Sequence, residues 1–360
     1  MPSPRSALPA LCAVSSALTL TVAVTGCGAP SPSAGGGGKG GTLVVAGYGG
    51  SFETAFRDSV LPAFEKTCGC KVTYIPGSST DSVAKIKAQR ANPQIDVALV
   101  DDGPQAQAQE AGLLTSIDTK VVPVDDVVKI ARMENDSGVG FGLTATGIAY
   151  NPEWFEQHGI PKPTTWADLA DPKLKDKVVL PSITNTYGVG LLVGAAKANG
   201  GSERDVDPGL TAVKKIAANA ATFDTTADVS NYFLQGQAAA SVWGVSRTST
   251  LAEKDFPIEF VYPKDGAIGL VTTANVVKKA PHEDLAQKFV AHLLEPSVQR
   301  ALAKATYDGS VVQGVKEDPA LKGKVVSADK VDSLLKLDWK TINKNRSAWT
   351  DKWNKQVESK

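Results

Sequence analysis

Apolar residues recur along this chain at two spacings, one suited to strands and one to helices, and the two alternate. Leu43-Val44-Val45-Ala46 form a short apolar run that stops at Gly47-Tyr48-Gly49-Gly50. This predicts a buried strand ending in a tight loop, with Ser51 placed to cap the following helix. On that helix Phe52, Phe56, Val60 and Phe64 recur every fourth residue and line one face. Cys70 to Ile75 alternates as a second strand, and Val83, Ala84 and Ile86 give Thr80 to Arg90 a helical stripe. Ile95 to Val100 is apolar without interruption, as a strand covered on both faces would be. It breaks at Asp101-Asp102-Gly103-Pro104, before a Gln/Ala-rich helix. Three strand–helix repeats predict an α/β layer with a parallel sheet. Ligands of such sheets bind beyond the carboxyl ends of the strands, which singles out Tyr48, Gly49, Gly50, Ser51, Asp101 and Asp102.

A second set follows. Phe141 to Tyr150 reads as a long strand able to cross between lobes. Trp166 to Leu169 forms a short helix capped by Thr164 or Thr165, Val178 to Leu180 a strand, and Pro181 to Gly188 a polar loop. Helices are expected near 188–198, 208–219 and 228–236. Ala238 to Trp243 is a strand that ends at Trp243-Gly244-Val245-Ser246-Arg247. Ile258 to Tyr262 and Ile268 to Val277 are further strands, the latter carrying the chain back to the first lobe. Helices near 281–294, 297–304, 327–336 and 338–357 complete the pattern. A body of roughly 320 residues exceeds the size at which one core keeps growing, so two lobes are expected.

The first residues change the picture of where this body works. Arg5, the apolar stretch Leu8 to Val24 and the small residues before Cys27 have the order of a secretory signal. The stretch is shorter and richer in Ser and Thr than a spanning helix, which needs about 20 apolar residues. Val24-Thr25-Gly26-Cys27 resembles a bacterial lipobox, and that resemblance implies a diacylated Cys27 anchored to the cell membrane. Ordinary cleavage to a soluble protein is the alternative. Residues 28–41, rich in Gly and Ser, read as a flexible tether. Lys plus Arg and Asp plus Glu both total 38, and this balance removes any case for nucleic acid. Cys12 leaves with the signal, so Cys68 and Cys70 remain. They lack the four ligands of structural zinc, and either form a strained short-loop disulfide or stay buried.

The chain carries no phosphate-binding G-x-x-x-x-G-K-[ST] loop, no H-E-x-x-H and no G-x-S-x-G. His158, His282 and His292 have no motif around them and read as surface or packing residues. Asp101 and Asp102 either cap the helix that Pro104 begins or face a cationic ligand group, one residue in each role. Tyr48, Tyr187 and Trp243 are core aromatics or a platform for an aliphatic or cationic ligand. Arg247 is a surface helix-start residue or a clamp for a carboxylate or phosphonate. Thr184, Asn185 and Thr186 are helix caps or donors to an anionic group. Trp339, Trp349 and Trp353 read as packing residues of the last helix.

From Thr42 to the C-terminus the chain resembles family 1 extracellular solute-binding proteins of bacterial ABC transporters, in the spermidine/putrescine-binding branch. The resemblance is carried by TLVVAGYGGSFETAFRDSVLPAFEKTCGCKV, IDVALVDDG, TATGIAYN, PTTWADLADPKLKDKVVLPS, AAASVWGVS, FVYPKDGAIGL and EDLAQKFVAHLLEPSVQRALAK, in this order. It implies a two-lobed, type II-like periplasmic-binding-protein fold, with two mixed sheets flanked by helices and a hinge between lobes. Lobe 1 would hold 42–145 and about 271–305, and lobe 2 would hold 146–270 and about 306–360. It also implies a non-enzymatic, cofactor-free, extracytoplasmic receptor, monomeric, that passes its solute to a membrane permease and ATPase. Carried over, the cleft positions are Tyr48, Gly49, Ser51, Asp101, Asp102, Thr146, Thr186, Trp243 and Thr272; the strand-end reading adds Tyr187 and Arg247. Where the polyamine branch places acidic groups, this chain has Ser182 to Thr186 and Val271-Thr272-Thr273. The expected ligand is therefore a small zwitterion, such as an amino acid, γ-amino acid or opine-like compound. A true polyamine is the alternative, and a secreted lipid-anchored hydrolase ranks below it. A ferric-iron ligand fits less well, because the adjacent tyrosine pair of that branch is absent.

Overall fold

The structure is a computed structural model that describes residues 41–226 and 228–359. The expected signal segment, Cys27 and the tether up to residue 40 lie outside them. Nine strands appear among the described residues: β1 (Thr42–Tyr48), β2 (Lys71–Gly77), β3 (Val97–Asp101), β4 (Val139–Tyr150), β5 (Val178–Pro181), β6 (Ala220–Asp224), β7 (Ala240–Gly244), β8 (Glu259–Val261) and β9 (Ile268–Val276). Their order is β2-β1-β3-β9-β4-β7-β5-β6, with β8 paired to β4.

Two parallel groups stand at either end of this sheet. In one, β1 runs parallel to both β2 and β3. In the other, β5 runs parallel to β6 and β7. Between them lie β4 and β9, antiparallel to each other and to their outer neighbours β7 and β3. At 12 and 9 residues they are long enough to serve both groups. The two expected sheets thus share this pair, and hydrogen bonding runs unbroken from one to the other.

Each group carries its own core. Leu43, Val45, Leu99, Phe141 and Phe289 belong to the first. Ile148, Trp166, Leu180, Leu191 and Trp353 belong to the second. The phenylalanine stripe packs the first core as the four-residue spacing predicts: Phe52 and Phe56 stack at 4.7 Å, and Phe56 meets Phe141 edge-on at 6.0 Å. A π-helical turn, Phe56–Val60, sits between Ser51–Ala55 and Leu61–Cys68 and lets the stripe keep its face.

Several expected details differ. Gly50, at φ 66°, holds the cap position assigned to Ser51, because only glycine enters that conformation without strain. Asp101 occupies a cap position but makes no capping bond. Of the helix expected over 327–336 only Ala328–Val331 forms. β6 was not foreseen; its sequence, Ala-Ala-Thr-Phe-Asp, has no β-branched aliphatic residue and is half-exposed along most of its length. Beyond residue 306, Val311, Val326 and Leu334 still pack in the first core, and the second core takes over from Leu337. The packing therefore changes sides later than the boundary expected at 306. Cys68 and Cys70 form a disulfide, with their Cα atoms 5.2 Å apart.

Candidate functional site

Residues that pair across strands point to the same face, and neighbours along a strand point to opposite faces. The register of the central strands therefore lays out a polar stripe. Asp101 pairs with Thr272, and Thr272 pairs on its other side with Gly142. Further along β4, Thr144 comes next on that face, then Thr146, which pairs with Gly244. The stripe thus runs from the carboxyl end of β3 to the carboxyl end of β7, across the strands shared by both cores.

At one end stand two acids. Tyr48 donates to Asp101 Oδ1 at 2.7 Å, and Ser79 Oγ donates to Oδ2 at 3.0 Å. Burial pushes the Asp101 carboxyl above its ordinary value, while these hydrogen bonds and the charge of Arg247 pull it back. The Tyr48 phenol is raised well above its usual range by burial and by the Asp101 charge, so it remains a donor. Asp308 lies beside Gly142: a methyl group on that glycine would come 2.5 Å from Thr272 Oγ1 and 3.2 Å from the Asp308 side chain. Burial, then repulsion from Asp101, pushes the Asp308 carboxyl up to about 7, with Arg247 opposing. Sequence reasoning missed Asp308. Its local signal is weak, an Asp-Gly step just after the left-handed Tyr307 that ends the helix Pro296–Thr306.

At the other end Arg247 and Tyr187 stand together. Arg247 lies in the first turn of the helix Val245–Ala252, and its charge reaches Tyr187, Asp101 and Asp308 alike. Burial pushes the Tyr187 phenol up to about 12, and the neighbouring guanidinium lowers it. The Tyr187 hydroxyl lies over Gly244, where a methyl group would meet it at 2.6 Å. Arg247 is about half exposed, and its contact with Asp228 is a loose 4.0 Å. Thr144 and Ser246 share a hydroxyl hydrogen bond of 3.0 Å between the two ends. Thr146 Oγ1 and Thr272 Oγ1 are buried with no hydrogen-bond partner. Two unpaired hydroxyls on one face are costly unless something completes them.

The remaining expected residues divide. Thr186 is half-buried in the first turn of the helix Thr186–Ala198, whose cap is Asn185 accepting from the Gly188 N–H at 3.0 Å. Gly49 is exposed on the loop after Tyr48, and Ser51 begins the next helix. Trp243 precedes Gly244 and so points to the opposite face; it is 1% exposed and stacks on Phe233 at 6.3 Å. It is a packing residue, not a platform. Asp102 opens the helix Asp102–Glu110 and faces Trp339 and Lys336, off the stripe. The His residues behave as packing and surface groups; His282 meets Asp96 at 3.3 Å and His292 is buried.

The arrangement sets two acids and a phenol about a short row of hydroxyls, with a guanidinium and a second phenol opposite. It can hold a small molecule by its two charged ends. Among the described residues, no three His, Cys, Asp or Glu side chains converge to hold a metal ion, and no helix is long and apolar enough to cross a membrane.

Comparison with known proteins identifies the family. Residues 60–329 match the family model described as bacterial extracellular solute-binding protein. Iron uptake protein A1 of Synechocystis is 26% identical over 300 residues, 78% of this chain and 81% of that protein. Spermidine/putrescine-binding periplasmic protein 1 of Haemophilus influenzae is 25% identical over 281 residues, 73% and 77% of the two chains. The crystal structure of an ABC transporter protein from Clostridium perfringens superposes with a TM-score of 0.78 at 25% identity, over 88% of this chain and 99% of that one.

Proposed function

We propose that this chain, which belongs to the bacterial extracellular solute-binding protein family and is the substrate-binding protein of an ABC transporter, captures a small zwitterion. Its ammonium would be received by Asp101 and Asp308, and its carboxylate by Arg247 and Tyr187. The observation that carries this reading is one guanidinium set opposite two half-buried acids on the same polar stripe. A desolvated ammonium beside Asp308 returns that carboxyl to its charged form, and a carboxylate beside Arg247 uses a planar fork suited to two parallel hydrogen bonds. Thr146 and Thr272 supply the hydroxyls that a polar solute completes. Groups from both cores touch the solute together only when they approach, so the solute favours closure by its differential affinity. The receptor acts as a monomer held to the outer face of the membrane through Cys27, and it delivers the solute to a permease and its ATPase.

The acid pair favours a second reading, a polyamine. Arg247 decides between them, because an unpaired guanidinium next to a bound dication costs several kcal/mol when both are desolvated. Ferric iron finds little support, since Tyr48 is held protonated by its bond to Asp101. Calorimetric titration with γ-aminobutyrate, glycine, putrescine and spermidine tests the reading. We expect a zwitterion to bind, and Arg247→Ala to weaken it by about 10- to 100-fold, the value of a charge-assisted contact. Binding of putrescine alone, unchanged or strengthened by Arg247→Ala, would overturn it.

A further inference from the structure

Asp102, turned away from the solute stripe, faces something else. It lines a cavity of about 550 Å³ between the helix Asp102–Glu110, the segment around Met133–Asn135 and the start of the last long helix, Trp339–Trp353. A cavity of this size suits a small organic molecule. Asp102 is only 5% exposed, and its Oδ1 has no hydrogen-bond partner. Trp339 Nε1, close to it, is also unpaired. The indole and the Gly103 N–H are near enough to steady the carboxylate, but neither completes a well-formed bond to Oδ1. The charge of Lys336 reaches it, but that ammonium donates to the Arg132 carbonyl, so the buried carboxylate stays costly until a cation bonds it directly.

The rest of the lining has the sign such a cation requires. Glu110 and Glu134 add two carboxylates. Asp338 is committed to the helix start, accepting from Thr341 N at 3.0 Å and Thr341 Oγ1 at 2.6 Å. Lys336, which donates to the Arg132 carbonyl at 3.1 Å, and Lys340 offset two of the four acids, so the lining keeps an acidic balance. Ala106, Met133, Leu337 and the Trp339 ring supply apolar walls. A cation over an indole face gains about 0.5–2 kcal/mol.

We propose that this cavity is a second small-molecule site, for a primary amine with an apolar body, whose ammonium is received by Asp102. It is independent of the zwitterion reading, because it uses none of the stripe residues. Asp102 is the neighbour of Asp101 in sequence, so the occupant would sit close to the acid end of the solute stripe.

The test is calorimetric titration of the full chain with 2-phenylethylamine at pH 8, with and without saturating γ-aminobutyrate. Its anionic counterpart, 3-phenylpropionate, serves as the control. We expect saturable binding of the amine and none of the acid. Asp102→Asn should weaken it about tenfold or more, while Asp308→Asn leaves it unchanged. Ala106→Trp, which fills the cavity and leaves every charge in place, should weaken it equally; this covers the case in which Asp102→Asn does not fold. Absence of saturable binding at millimolar amine overturns the proposal. So does equal binding of 3-phenylpropionate, or a loss confined to Asp308→Asn, which would place the amine in the solute stripe.

Discussion

Asp308 makes the solute site sensitive to pH in a direction that can be worked out. Its carboxyl lies at about 7 in the folded chain, raised by burial and by the neighbouring Asp101 charge, against about 4 when unfolded. Between those values the folded form binds more protons, so stability falls as pH rises through that window. The cost is absent below about pH 4 and complete above about pH 7. The rise from about 4 to about 7 is worth at most about 4 kcal/mol, and solvent at a half-buried carboxyl screens it to about 1–2 kcal/mol. Asp308→Asn should therefore raise the unfolding free energy of the empty protein at pH 8 and leave it little changed at pH 4. Binding shows the opposite trend. If only the ionised carboxylate receives an ammonium, the affinity for γ-aminobutyrate should fall about tenfold per pH unit below 7, reaching about 100-fold at pH 5. Near pH 6 each binding event should release about one proton. Calorimetry in two buffers of different ionisation enthalpy measures both quantities. A dissociation constant that stays flat from pH 5 to 8, or a slope that persists in Asp308→Asn, would refute the placement of the ammonium. Asp102, also raised to about 7 but facing the other cavity, provides the control, since Asp102→Asn should leave the slope intact.

Other substitutions test neighbouring parts of the argument. Trp243→Ala should lower the unfolding free energy by about 3–5 kcal/mol in a denaturant titration, as deletion of a buried indole does, and not act selectively on solute affinity. Tyr48→Phe removes the 2.7 Å bond to Asp101; it should cost about 1–3 kcal/mol of stability at pH 8, read by the same titration, because a buried carboxylate loses its donor. Gly142→Ala places a methyl 2.5 Å from Thr272 Oγ1 and 3.2 Å from Asp308; an overpacking cost of about 1–3 kcal/mol should appear as weaker solute binding by calorimetry.

Strand-end residues were legible where one strand decided the matter. Val97 to Val100 is apolar without a break, and its end points to Asp101, the residue that the structure places on the polar stripe. The run also predicted the parallel β1–β3 arrangement. Periodicity did not reveal β6, because Ala-Ala-Thr-Phe-Asp has neither alternation nor β-branched aliphatics, and its place on the sheet comes from pairing with β5. Asp308 was invisible for a different reason: it reaches the stripe from a loop far along the chain, and only the three-dimensional path brings it beside Gly142. Two expected cleft residues, Asp102 and Trp243, lie off the stripe. Trp243-Gly244 lies within β7, so its two residues must face opposite ways, whereas Asp101 ends β3 and Asp102 already opens a helix, so the strand-to-helix turn carries Asp102 off the stripe. The sequence marks the end of the strand, while cross-strand register selects the face. Asp101 pairs with Thr272 and turns to the polar stripe, while Asp102, in the first turn of its helix, lines the other cavity. Gly244 pairs with Thr146 and leaves room for Tyr187, so Trp243 must enter the core. One two-residue step where β3 passes into its helix therefore gives this receptor one carboxylate on the polar stripe and another in a second cavity.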